Sequence, residues 1–119
     1  MRKIYYLKTC DTCKRIIKSL PSTEGFEFQD IKEFPITVQQ LDALRDLTGS
    51  YEALFSKRAK LYKEMGLKDI QLAESDFKRY ILEHYTFLNR PVIVIGDQAF
   101  VGNSPKVIDQ VLKRMANEQ

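Results

Sequence analysis

The chain has two cysteines, which are separated by two residues in the stretch YLKTCDTCKR, as Cys10-x-x-Cys13. A pair at this spacing suits half of a zinc site, a structural disulfide, or a reactive thiol with a second thiol behind it. Zinc is disfavoured because a structural site needs four ligands, and His84 is the single histidine that could add to the pair. A permanent disulfide is disfavoured because so small a loop constrains the chain little. Redox or nucleophilic chemistry without a metal is favoured, and a pair of inert buried thiols is the alternative.

The position of each thiol in a predicted helix over residues 11–20 gives the two cysteines different roles. Cys10 precedes the helix, where free N–H groups and a partial positive charge stabilise a thiolate. Cys13 shares the apolar face of Ile16 and Leu20. We therefore expect Cys10 to attack and Cys13 to resolve, closing a disulfide after Cys10 has reacted. Thr12, between them, is a predicted substrate-binding residue.

Arg58 is a second candidate for binding a substrate. A helix is predicted from about Tyr51 to Met65, and Arg58 falls on its apolar stripe, three residues after Phe55 and four before Tyr62. A guanidinium on such a stripe needs an anionic partner. The partner is either an internal carboxylate or, if the helix breaks nearby, a bound anion in a cleft.

The remaining patterns predict an α/β protein. Strands are predicted over residues 2–7 and 26–31 on either side of the first helix, and such a β-α-β unit is usually parallel. Further helices are predicted at about 37–48, 51–65 and 73–85. The chain then ends in β-β-α: an apolar strand at 91–95, a short strand at 99–101 and a helix that Ser104 caps. This is the order of a thioredoxin or glutaredoxin core with a small mixed sheet. We predict one domain over residues 1–119, with a helical insert at about 37–88 between the second and third strands.

Arg90-Pro91 opens the apolar strand, and the predicted topology gives this dipeptide a role. In thioredoxin-like folds the proline at this place is cis and faces the C-x-x-C. A cis bond is accessible at X-Pro. The alternative is an ordinary proline at the start of a strand. If the bond is cis, Arg90 is expected near Cys10, where it could hold an oxyanion by charge-assisted hydrogen bonds.

Composition limits the classes of function. The chain is 44% hydrophobic and 29% charged with a net charge of +3, which is typical of a globular protein and too weak a charge to indicate nucleic-acid binding. Apolar runs fall short of the roughly 18 residues of a membrane span. The first ten residues lack the apolar segment of a signal peptide, so a cytoplasmic location is expected. The protein is also expected to be a monomer.

The sequence resembles the arsenate reductase (ArsC)/Spx family over nearly its whole length. The resemblance rests on motifs in family order and spacing: Tyr6, Cys10, Cys13, Lys14 and Arg15; Asp30, Ile31, Lys32 and Pro35; Leu54, Phe55, Ser56, Lys57, Arg58 and Tyr62; Arg90 and Pro91; Val101 and Gly102.

The resemblance implies a thioredoxin-like core in which Cys10 attacks arsenate and Arg90 binds the oxyanion. It implies no bound cofactor, with glutathione and glutaredoxin, or thioredoxin, as the reductant. At two further arginine positions of the family pattern, this chain has Ser56, with Arg58 two residues on, and the uncharged Asn103.

Two functional hypotheses follow from the resemblance. The first is a thiol-dependent oxidoreductase that acts on a small oxyanion or a disulfide. The alternative is an Spx-like regulator that binds the C-terminal domain of the RNA polymerase α subunit and uses the cysteine pair as a redox switch.

Overall fold

The computed structural model describes residues 1–118, which divide into two compact units. Residues Met1–Phe34 and the stretch from Arg90 onward form the first, called here the sheet unit, and Pro35–Asn89 form the second, called the helical unit. Among the described helices, none is both long and apolar enough to cross a membrane. The assignment of the whole chain to one domain with an insert at about 37–88 stays a prediction.

Within residues 1–118 the strands and α-helices have the order β-α-β, then three α-helices, then β-β-α. Their bounds are β1 Arg2–Tyr6, α1 Asp11–Ser19, β2 Glu27–Asp30, α2 Val38–Thr48, α3 Lys60–Glu64, α4 Glu74–Glu83, β3 Val92–Ile95, β4 Gln98–Val101 and α5 Pro105–Asn117. Short 3-10 turns lie at Glu52–Leu54, Leu67–Asp69 and Tyr85–Phe87.

The sheet has the strand order β2-β1-β3-β4 and is mixed, as predicted. β1 pairs in parallel with β2, which confirms the parallel β-α-β start, while β3 runs antiparallel to both β1 and β4. In this register Ile4 pairs with Phe28 on one side and with Ile93 on the other. The central strands thus bring the end of β1, which leads to Cys10, next to the beginning of β3, which follows Pro91.

A mainly aliphatic core holds α1 and α5 against this sheet. Every residue of β3 is buried, as the continuous apolar run predicts. The buried members of the core come from β1, α1, β3, β4 and α5: Ile4, Ile16, Leu20, Ile93, Ile95, Phe100, Val111 and Met115. The predicted start of α5 is confirmed, because the Ser104 side chain accepts a hydrogen bond from the Val107 N–H and Pro105 is the first helical residue.

The first helix of the helical unit begins and ends where the sequence indicates. Thr37 and Gln40 form a reciprocal capping box at its start. Gly49 ends it with a φ of 94°, a left-handed conformation that glycine adopts readily. Leu41 and Leu44 are buried as predicted, whereas Leu47 on the predicted stripe is exposed.

The predicted helix from Tyr51 to Met65 is wrong. The segment is a 3-10 turn, an extended stretch at residues 55–56, a turn at 57–58 and only then α3. The cause is backbone pairing with a distant segment. Phe55 forms an antiparallel bridge with Leu88, and the Ser56 N–H donates to the Phe87 carbonyl at 2.7 Å. These bonds take the backbone groups that a continuous helix would use internally.

Aromatic packing holds the same segment in place. The Phe55 ring lies 4.9 Å from the Phe77 ring and 5.1 Å from the Phe87 ring, centroid to centroid, and both partners are buried. Tyr62 and Tyr80 contact the edge of this cluster. The helical unit therefore has an aromatic core of its own.

Candidate active site

Cys10 occupies the N-cap position of α1. Its backbone is extended, with φ −88° and ψ 111°, and its carbonyl accepts the first helical hydrogen bond from Lys14 at 3.1 Å. Its sulfur accepts a hydrogen bond from the Cys13 N–H at 3.5 Å. A sulfur that accepts from the free N–H groups of a helix start is placed where negative charge is favoured. The predicted position of Cys10 is confirmed.

The surroundings of Cys10 favour its thiolate. Partial burial alone would raise its pKa, but four groups act in the opposite direction and lower the pKa below that of an ordinary thiol. They are the Cys13 backbone N–H, the Cys13 thiol, the positive charge of Arg90 and the Thr12 backbone N–H. The thiolate is the nucleophilic form of cysteine, so these groups favour attack by this half-buried side chain.

Cys13 has the opposite environment. It is fully buried on the core-facing side of α1, as predicted. Burial raises its pKa to about 11, with the Cys10 thiol and its charge adding to the rise, while a hydrogen bond from the Leu7 backbone and the charge of Arg90 oppose it. Both cysteines are free. The pair is therefore asymmetric: Cys10 ionises more readily than an ordinary thiol, and Cys13 ionises less readily.

Arg90 and Pro91 lie at the start of β3, in the same unit as the cysteines. The Arg90-Pro91 peptide bond is cis, which confirms the prediction. Pro91 is buried, Arg90 is half-buried, and the charge of Arg90 lowers the pKa of both thiols. Arg90 is thus close enough to Cys10 to stabilise its thiolate.

Two residues after β4 contact this dipeptide. The Gly102 N–H donates to the Pro91 carbonyl at 2.9 Å, and the Asn103 side-chain amide donates to the Arg90 carbonyl at 3.4 Å. From the sequence alone, Asn103 is only an uncharged residue at an arginine position of the family pattern. The β3–β4 register is the signal that could have placed it, because carrying the pairing of Val92 with Val101 two residues further sets Asn103 opposite Arg90.

The other predicted site residues lie in different surroundings. Thr12 is half-buried in the first turn of α1, and its backbone N–H hydrogen-bonds the Cys10 sulfur. Arg58 lies in a turn of the helical unit and is exposed, so its predicted place on the apolar stripe of a helix is wrong. Substrate binding by Thr12 and by Arg58 stays a prediction.

Residues with metal-binding side chains do not gather into a site within residues 1–118, where no group of three or more His, Cys, Asp and Glu is placed to hold an ion. His84, the third possible ligand in the sequence, caps the C-terminus of α4 in the helical unit and is exposed.

Comparison with known proteins matches the chain to the model of the ArsC family over residues 5–111. It is 26% identical over 106 residues to an arsenate reductase of Haemophilus influenzae, covering 84% of this chain and 91% of the relative. It is 24% identical over 114 residues to the global transcriptional regulator Spx 2 of Bacillus anthracis, covering 93% of this chain and 86% of that protein. Among solved structures, the arsenate reductase from Vibrio cholerae superposes with a TM-score of 0.75 over 94% of this chain and 95% of that one, at 24% identity. This likeness confirms the thioredoxin-like α/β fold.

Proposed function

The chain belongs to the ArsC family, and we propose that it is a thiol-dependent oxidoreductase in which Cys10 is the nucleophile and Cys13 the resolving thiol. One observation carries the proposal: the Cys10 sulfur caps the start of α1 and accepts from the Cys13 N–H at 3.5 Å, whereas the Cys13 thiol is fully buried behind it. These positions lower the pKa of Cys10 and raise that of Cys13 to about 11. Since the thiolate is the attacking form, the two cysteines are suited to successive steps.

With a disulfide substrate, the Cys10 thiolate attacks one sulfur, the substrate S–S bond breaks, and the leaving thiolate is released with the bonding electron pair. Cys13 gives up its proton to solvent or to the leaving thiolate and attacks the Cys10 sulfur. The Cys10–Cys13 disulfide closes and the second half of the substrate leaves as a thiolate. Two protein thiols are oxidised and one substrate disulfide is reduced, so the electrons balance.

With an oxyanion such as arsenate, Cys10 forms a sulfur–arsenic bond and one arsenate oxygen leaves as water after protonation. Attack by Cys13 on the Cys10 sulfur breaks that bond, and its electron pair stays on arsenic, which departs as arsenite. Both versions end at the same protein disulfide. An external thiol reductant of the cytoplasm, either glutathione with glutaredoxin or thioredoxin, would return the pair to its thiol form.

Arg90 and Thr12 would act in the first step. The Arg90 guanidinium is a cation and would pair with a substrate oxygen or carboxylate. The same charge would favour the Cys10 thiolate. Thr12 contributes its backbone N–H to the Cys10 sulfur. Arg58, exposed in the helical unit, is the second proposed anion-binding cation.

A coupled assay tests the proposal. Reduced protein is mixed with glutathione, glutaredoxin, glutathione reductase and NADPH, and NADPH consumption is followed with arsenate and, separately, with a glutathione mixed disulfide. We expect turnover with at least one substrate that is lost in Cys10→Ser. Equal rates for wild type and Cys10→Ser with both substrates would overturn the proposal.

The similarity to Spx 2 over 93% of the chain supports a second candidate, an Spx-like regulator that binds the RNA polymerase α C-terminal domain. Its test is a pull-down with that domain, using protein with the cysteine pair reduced and oxidised. Binding that depends on the redox state would favour regulation, and lack of binding in both states would reject it.

A further inference from the structure

The loop between β4 and α5 continues the pairing of β4 with β3 beyond the strands themselves. The last strand pair is Val92 with Val101, so the next pairs in register are Pro91 with Gly102 and Arg90 with Asn103. Pro91 has no N–H, so it cannot donate to this ladder. The carbonyls of Arg90 and Pro91 remain as acceptors for the other strand.

Gly102 and Asn103 supply the donors for these two carbonyls. The Gly102 N–H reaches the Pro91 carbonyl at 2.9 Å, and the Asn103 side-chain amide reaches the Arg90 carbonyl at 3.4 Å. Gly102 has a φ of +94°, and an added Cβ there would meet nothing within 4 Å. Position 102 therefore favours glycine because of its backbone conformation and not because of crowding. The next hydrogen bond to β3 is made by the side chain of Asn103.

The bond matters because Arg90 acts on Cys10 through its charge. A Coulomb interaction weakens as the charges separate, so the influence of the guanidinium depends on where the Arg90 backbone is held. The carbonyl that Asn103 contacts belongs to that same residue. The Asn103 side chain carries no charge, but it contacts the backbone of the residue whose charge lowers the pKa of Cys10.

We propose that Asn103 is a positioning residue, which holds the Arg90 backbone beside Cys10 by its amide hydrogen bond and so acts on the nucleophile through Arg90. The inference rests on the proposed function for its catalytic meaning. The thiol chemistry that tests it can be measured without turnover.

The test measures alkylation of Cys10 by iodoacetamide against pH, with the modified cysteine assigned by peptide mass spectrometry. In Asn103→Ala we expect the midpoint of the Cys10 profile to move to higher pH, with a rate at pH 6 about threefold below that of the wild type. An unchanged profile would overturn the inference.

Ser104→Ala is the matched control in the same loop. It removes the neighbouring hydrogen bond, from the Val107 N–H to the Ser104 side chain, which does not involve Arg90. We expect this variant to keep the wild-type Cys10 profile. Equal shifts in Asn103→Ala and Ser104→Ala would show general loosening of the loop and overturn the specific role of Asn103.

A double-mutant cycle separates action through Arg90 from direct action. In an Arg90→Ala background, Asn103→Ala should leave the Cys10 profile unchanged, because the charge it positions is gone. A shift of the same size in both backgrounds would contradict the inference. Failure of the proposed function would appear as a lack of turnover by the wild-type protein in the coupled assay. The shift of the Cys10 alkylation midpoint between wild type and Asn103→Ala does not depend on that assay. Thermal melts check that each variant is folded.

Discussion

The interior of the sheet unit and the interior of the helical unit are stabilised by different kinds of interaction. The sheet unit rests on continuous strand pairing and a mainly aliphatic core, and the asymmetric cysteine pair lies at the start of its first helix. The helical unit rests on short helices around a cluster of aromatic rings centred on Phe55. The N–H groups at the start of α1 and the charge of Arg90 both act on the Cys10 sulfur, and both belong to the sheet unit.

Polar contacts at the surface of the helical unit join its segments. The Glu74 carboxylate accepts hydrogen bonds from the N–H groups of Tyr51 at 2.8 Å and Glu52 at 3.1 Å. The Tyr51 hydroxyl donates to Asp42 at 2.6 Å, and Lys78 lies 3.0 Å from the same carboxylate. We therefore expect the reactivity of Cys10 to depend on the sheet unit, while substitutions in the aromatic cluster and these polar contacts of the helical unit act first on stability.

The largest expected effect comes from the nucleophile. Cys10→Ser should lower turnover by at least about 10³-fold, because serine is a far weaker nucleophile without an activating base. Cys13→Ser should retain the first attack and accumulate a mixed disulfide on Cys10, which intact-protein mass spectrometry detects as an added mass. If Cys13→Ser lost the first attack and Cys10→Ser retained it, the assigned roles would be reversed.

Core truncations compare the stability of the two units. Phe55→Ala should lower the free energy of unfolding by about 3–5 kcal/mol, and Ile93→Ala in the sheet unit by about 2–5 kcal/mol, since both side chains are nearly fully buried. Denaturant unfolding measures both. Ile93→Val, at about 0.5–1.5 kcal/mol, is the mild control. A loss below about 1 kcal/mol for Phe55→Ala would contradict the central place of its ring in the helical unit.

The two arginines test where the substrate anion is bound. Arg90→Ala should lower kcat/KM by roughly 10- to 100-fold, the range expected for loss of a charge-assisted hydrogen bond, and should raise the pKa of Cys10. Arg58→Ala should raise KM for an anionic substrate by a smaller factor and leave the pKa of Cys10 unchanged. Lys60→Ala, another exposed cation of the helical unit, is the control with no expected effect. A fall in kcat/KM for Arg58→Ala as large as that for Arg90→Ala would contradict this difference between the two arginines.

The smallest effect concerns the polar contacts of the helical unit. The hydrogen bond from Tyr51, followed by Lys78, holds the pKa of Asp42 below its usual value of 3.8. A depressed carboxyl pKa contributes stability at neutral pH that is lost as pH falls below about 4 and the carboxylate is protonated. Tyr51→Phe should therefore lower Tm slightly at pH 7, and the difference from wild type should shrink in acid. In an Asp42→Asn background the effect of Tyr51→Phe on Tm should not depend on pH. A Tm difference between Tyr51→Phe and wild type that grows in acid would contradict the stabilising role of the Asp42 carboxylate.

The sequence predicted those features whose signals are local. Thr37, Gly49 and Ser104 are capping residues, and the helices begin or end at them. The apolar run at 92–95 became a buried central strand because its side chains are covered on both faces. The positions of the two cysteines, one at the N-cap and one buried in the first turn, were predicted because they depend on the start and the apolar face of a single helix.

The features that failed depend on distant partners. The spacing of residues 51–65 fits a helix, but Phe55 and Ser56 pair with backbone more than thirty residues later in the chain, which periodicity does not reveal. The contact between Asn103 and Arg90 likewise depends on strand register. Arg58 was placed on a helix that does not form, so the argument for its burial failed with the helix.

The asymmetry between the two thiols is tested by the pH dependence of alkylation of each cysteine in the reduced native protein. We expect Cys10 to react with a midpoint below that of an ordinary thiol, and Cys13 to stay unmodified until the pH approaches its pKa of about 11. Equal midpoints for the two cysteines, or faster modification of Cys13 at neutral pH, would contradict the account.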